Sequence, residues 1–182
     1  GKNKRRNELS RMHDVYIEIL VMTIKEQYIG EKTFYEGVLN LDESTWEQWK
    51  QGNYSLSGEQ SQQIKNLFSD YEWMLLQKIL RQTIIFPEKR TGAIQEYRQM
   101  KTRIAQAWLK AELAEVSVKQ EENHNAQFVA VKVIVNYGKW GYDDVLSFRL
   151  PAKIQQQIEK EHVALLDWLH DNLEETYLEN GS

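Results

Sequence analysis

The sequence predicts a mainly α protein with a small β-hairpin or sheet, of the α+β class. An N-terminal helix-turn-helix bundle is followed by a helix–hairpin–helix C-terminal half. Three observations predict this. Apolar residues recur at a three-four spacing over residues 10–28; two short helical patterns meet at a turn within 34–52; and valines alternate with other residues over 127–137. A helix buries one stripe and a half-buried strand buries every second residue, so the two periods separate the two kinds of element.

Taken in order, residues 1–9 are polar and basic (Lys2, Lys4, Arg5, Arg6) and read as a flexible basic arm able to contact phosphates. From 10 to 28 the residues Met12, Val15, Tyr16, Ile19, Leu20, Ile24 and Tyr28 form one apolar stripe, with Ser10 as its cap and Gly30 as its stop. In 34–52, FYEGVLNLDESTWEQWKQG, Tyr35 and Leu39 share a face of one short helix, and Trp46 and Trp49 share a face of the next. Asn40 tolerates the left-handed conformation a tight turn needs, Asp42 caps the second helix and Gly52 stops it. Both indoles are expected in the core, because tryptophan at helical spacing is far more often buried than used as a stacking platform. Ile64, Leu67 and Phe68 supply a closing helix, which makes 10–70 a helix-turn-helix domain.

This pattern resembles the helix-turn-helix of the Cro-like phage-repressor (lambda-repressor-like) family over roughly residues 8–68, about a third of the chain. Tyr35, Leu39, Leu41, Trp46 and Trp49 fall on the family's apolar positions, Asn40 on its turn residue, and 52–57 on the turn that follows its second helix. Glu36 departs from the Ala usual where the helices cross, so either the crossing is looser or the register is shifted by one. The resemblance implies a transcriptional regulator that binds duplex DNA as a homodimer. Ser44, Thr45, Gln48 and Gln51 would read base edges, while Lys50, Arg5 and Arg6 would hold the backbone. Asp42, Glu43 and Glu47 oppose this, since a duplex repels carboxylates. The alternative is therefore a non-DNA-binding protein-interaction module, with an acidic helix facing a basic partner. The sign of the charge around Gln48 separates the two.

Residues 71–86 read as a connecting helix ended by Pro87, and 87–182 as an α+β region for dimerisation or sensing. That region would open with one helix over 88–113 on a seam of Ile94, Tyr97, Ile104, Trp108 and Ala111, with Arg90, Arg98, Lys101 and Arg103 on its flanks. Residues 115–119 fit a third strand or a continuation of that helix. Strands are expected at 127–137 and 144–150, joined by a glycine-containing turn, and Pro151 is expected to open the last helix. That helix would be lined by Ile154, Ile158, Leu165, Leu166, Leu169, Leu173 and Tyr177.

At 182 residues the chain can bury a substantial core, and its net charge of −4 excludes wholesale nucleic-acid coating while leaving room for a local basic surface. There is no Cys, hence no disulfide and no thiolate metal site. No apolar run approaches the ~20 residues of a membrane helix, so neither a membrane partner nor an export signal is expected, and the cytoplasm is the expected location. His13-Asp14 lacks a nucleophile, and Glu159-x-x-His162 and Asp167-x-x-His170 share one helix with no matching carboxylate, so they read as solvated surface. No catalytic residues, metal or cofactors are expected.

Overall fold

The computed structural model describes residues 1–123, 126–154 and 165–179. It comprises two compact units, one of Gly1–Phe68 with Leu76–Ile94 and the other of Ser69–Leu75 with Gln95–Ser182. The expected α+β class is what it shows, with a three-stranded antiparallel sheet among predominantly helical elements.

The first unit contains α1 (Lys2–Gln27), α2 (Glu31–Gly37), α3 (Glu43–Lys50), α4 (Gly58–Lys65) and the later turns of α5 (Asp70–Ile85). The basic segment expected as a flexible arm is instead the start of α1, which begins at Lys2. Nothing in Lys2–Gln27 breaks a helix, and its Lys, Arg, Glu and Leu residues are good helix formers. Val15, Ile19, Leu20 and Ile24 of α1 are buried, as are Leu76, Ile79 and Leu80 of α5. Helix α4 starts with a capping box, in which Ser57 accepts from the Gln60 N–H and Gln60 accepts from the Ser57 N–H.

Where one helix over 88–113 is expected, the chain forms a short 3-10 turn, Pro87–Arg90, and then α6 (Ala93–Lys110). Pro87 opens that turn, and the Thr91-Gly92 pair separates it from α6. Helix α6 ends early because Glu112 adopts a left-handed conformation, φ 58°. The Leu113 N–H then returns to the Trp108 carbonyl at 3.0 Å and the Glu112 N–H to the Leu109 carbonyl at 3.1 Å. This double closure usually uses glycine, so the sequence carries no sign of it.

In the second unit β1 (Glu115–Asn123), β2 (Ala126–Asn136) and β3 (Asp143–Pro151) pair antiparallel in that order. Residues 115–119 are therefore strand. Register aligns Val118 with Val131 and Val131 with Phe148, which puts Val129, Val131, Val133, Leu146, Phe148 and Leu150 on one face. They form a buried cluster with Ala105 of α6, Ile154, and Trp168, Leu173 and Tyr177 of α7 (Leu165–Glu179). Pro151 ends β3 rather than opening a helix: it pairs with Phe128 on an edge strand, where a missing N–H is tolerated. Gly138 and Gly141 in the β2–β3 turn both take positive φ, 62° and 67°, a conformation that L side chains rarely adopt.

Arg98 and Lys101, expected on the flanks of α6, are buried. The Lys101 ammonium lies 3.0 Å from Glu72 Oε2, and the rings of Phe148, Tyr177 and Tyr97 are 4.9, 5.3 and 5.9 Å from it. Arg98 stacks on Tyr177 and donates to its carbonyl at 2.7 Å. Periodicity could not reveal this, since the partners come from three other elements. Ala111, expected in the seam, is exposed. Ser10, Ile158, Glu159, His162, Leu165, Leu166, Asp167, Leu169 and His170, singled out in the sequence, fall outside the described side chains. Among the described residues no group of carboxylates and histidines is arranged to hold a metal, and no helix is long and apolar enough to cross a membrane.

Candidate nucleic-acid interface

Helices α2 and α3 are held by an aromatic stack built on Trp46. This indole is fully buried, 5.7 Å from Tyr35 and 5.2 Å from Trp49 in stacked geometry, with the Phe34 edge at 6.0 Å. Tyr35, Leu39 and Leu41 are buried with it, as the apolar spacing requires. Trp49 is only half-buried: it covers Trp46 rather than entering the core. Between the helices Asn40 takes φ 54°, so the residue at the turn does adopt the left-handed region. Asp42 caps α3 by accepting from the Thr45 N–H at 2.7 Å, and hydrogen bonding from the Thr45 side chain, with that backbone bond second, holds its carboxyl below the ordinary range. Gly52, at φ 83°, follows the helix where a stop belongs. Glu36 is exposed, with its carboxylate 4.0 Å from Lys32.

A helix advances about 100° per residue, so fixing Trp46 inward fixes the rest of α3. Ser44, Gln48 and the C-cap residue Gln51 stand at i, i+4 and i+7, opposite the indole, and all three are exposed. Glu43, Glu47 and Lys50 form one flank at the same spacing. The projecting ridge is thus neutral and rich in hydrogen-bonding groups, with the acidic residues beside it.

Of the residues expected to contact DNA, five therefore come together on or immediately after α3. Thr45 is half-buried on the other flank, and its backbone N–H serves the cap. Lys50 does not stand free for a phosphate. Its ammonium is 2.8 Å from Glu31 and 2.9 Å from Glu47, and its side chain is only 16% exposed. The same Glu31 oxygen accepts from the Trp46 indole N–H at 3.0 Å. Burial pushes the Glu31 carboxyl up, but hydrogen bonds from Lys50 and Trp46 and the charges of Lys50 and Lys25 outweigh it, leaving the group below its ordinary value. For Lys50, burial works downward and is outweighed by its two carboxylate partners, so the ammonium is held above its ordinary value. Glu31 lies on α2, too far along the chain for helical spacing to have linked it to Lys50.

Arg5 and Arg6 are exposed on the first turns of α1 rather than on α3. Two further contacts brace the motif. The Lys50 carbonyl can only accept, so His13 Nε2 carries the hydrogen in their 2.9 Å bond, and Gln60 Nε2 donates to the Leu39 carbonyl at 2.9 Å. His13 thereby supports the end of α3. Beyond α3, Asn53 and Tyr54 are exposed in the turn that follows, and the Asn53 N–H returns to the Gln48 carbonyl at 2.8 Å. The sequence marks these two only as turn residues. An exposed aromatic beside a polar ridge was the available signal.

Comparison with protein-family models, with curated proteins and with solved structures finds no match to this chain.

Proposed function

We propose that the first unit is a helix-turn-helix module that binds duplex DNA, and that the chain is a transcriptional regulator acting as a homodimer in the cytoplasm. One observation carries this reading: with Trp46 buried, the face of α3 opposite it is the ridge of Ser44, Gln48 and Gln51. Glutamine can pair with adenine through two hydrogen bonds in the major groove, and serine serves several bases. Lys50 belongs to the support of the ridge, because it neutralises Glu31 and Glu47. Backbone contact would then fall to Lys2, Lys4, Arg5 and Arg6 on α1 and to Asn53 and Tyr54 beyond α3. With so few unpaired cations on α3, affinity depends on pairing two half-sites about one helical turn apart.

The test is selection from random duplexes by the full chain across a salt series. Retention of one sequence class is expected, and no retention even at low salt rejects the reading. Gln48→Ala is expected to relax the preference at one position, a change of about 1–3 kcal/mol in discrimination. Lys50→Ala is expected to lower the thermal stability of the module rather than to weaken all sites alike.

A second reading is favoured by the exposed carboxylates of Asp42 and Glu43: an interaction module for a basic protein segment. Glu43→Gln separates the two. It tightens binding to a duplex by removing repulsion, and it weakens binding to a basic partner.

A further inference from the structure

We propose that the outer edge of β1 is where a second copy of this chain pairs, antiparallel and centred on Ser117, so that two three-stranded sheets continue as one of six strands. The two edges of the sheet are treated differently. At β3 the chain closes its own edge: Ser69 donates through its hydroxyl to the Val145 carbonyl, and Glu72 accepts from the Ser147 N–H at 3.1 Å. At β1, among the described residues, no strand lies beyond it. It is nine residues long, pairs with β2 in unbroken register, and contains neither proline nor bulge. An edge of that kind is a template for another strand.

What identifies the other strand as its own copy is the residue pattern. A two-fold axis perpendicular to the sheet keeps each residue on its own face, so the possible centres are single residues. Centred on Ser117, Glu115 meets the partner's Lys119 and Lys119 meets the partner's Glu115. On the other face Val116 meets the partner's Val118, and the reverse. That face is the one carrying Val131 and Val133, so the four valines would extend an existing core. Val118 is 37% exposed in the single chain, which leaves apolar surface for this contact to cover. Other centres lack the match. Centring on Val118 opposes Glu115 with Glu121, centring on Lys119 opposes two lysines, and centring on Gln120 sets Val118 against Glu122. Lys119 thereby has a second effect: it disfavours strands that lack a carboxylate at the facing position.

The inference supplies a surface for the homodimer proposed above, yet it is measured without DNA, so either idea can fail while the other stands. The experiment is sedimentation of the full chain over about 1–100 μM, with Lys119→Glu, Glu115→Lys and the double variant. Both side chains are exposed, so each variant is expected to keep the circular dichroism and melting of the parent. The parent should dimerise. Each single swap creates two like-charge pairs and should weaken the dimer about tenfold, and the double variant should recover it. A monomeric parent, a dimer indifferent to the single swaps, or a double variant no tighter than the singles overturns the proposal.

Discussion

Glu31 helps to fix what α3 presents. One of its oxygens accepts from both the Trp46 indole and the Lys50 ammonium, joining the base of the ridge to its flank. Glu31→Gln removes the charge and keeps the shape, and is expected to cost about 1–2 kcal/mol by chemical denaturation. The pH dependence follows from the direction of the shift. The folded carboxyl titrates below its ordinary value of 4.5, so its contribution is complete above that pH and is lost as the pH falls through the lower, folded value. Lys50 acts at the other end: its contribution is complete below its ordinary 10.5 and disappears as the pH rises through the raised value. In Glu31→Gln the acid limb of a stability–pH profile should flatten. An unchanged limb would place the acid sensitivity in another carboxylate.

Among elements, the α2–turn–α3 segment depends on one backbone position. Asn40 sits at φ 54°, where a side chain with a β-carbon is strained and asparagine is among the least strained. Asn40→Ala is expected to lose about 1 kcal/mol and Asn40→Gly to lose nothing or gain, read from paired thermal melts. Asp42→Ala removes the cap of α3 and is expected to cost a similar ~1 kcal/mol. The turn and cap were legible because each needs a particular residue type at one position. The end of α6 was not, because Glu112 adopts there the conformation that glycine usually supplies. Nor was the role of Pro151, since the same residue suits both a helix start and the end of an edge strand.

For the whole molecule, the most consequential feature is a buried ion pair in the second unit. Glu72 and Lys101 each expose only 5% of their side chains and lie 3.0 Å apart. The carboxylate also accepts from the Ser69 and Ser147 N–H groups, so the pair holds α5, α6 and β3 together. Removing one partner leaves a charge in a place water does not reach. Glu72→Ala is expected to destabilise by about 3–5 kcal/mol in denaturant titration, and Glu72→Leu with Lys101→Met to recover most of it. A single-variant cost below ~1 kcal/mol would mean that the charge is solvated after all.

What the sequence determined by itself was whatever repeats at a fixed interval or needs one residue type: the stripe of α1, the turn at Asn40, the cap at Asp42, the inward indole, and the alternation of β2. Those signals are local, and local geometry decides them. Only the tertiary structure decided which charges are available. It took Lys50 from the solvent and gave it to Glu31, buried Lys101 against Glu72, and, among the described residues, set no strand beyond β1 while Ser69 and Glu72 bond to β3. The physical reason is that an ion pair or a sheet edge is completed by groups distant along the chain, and no periodicity connects them.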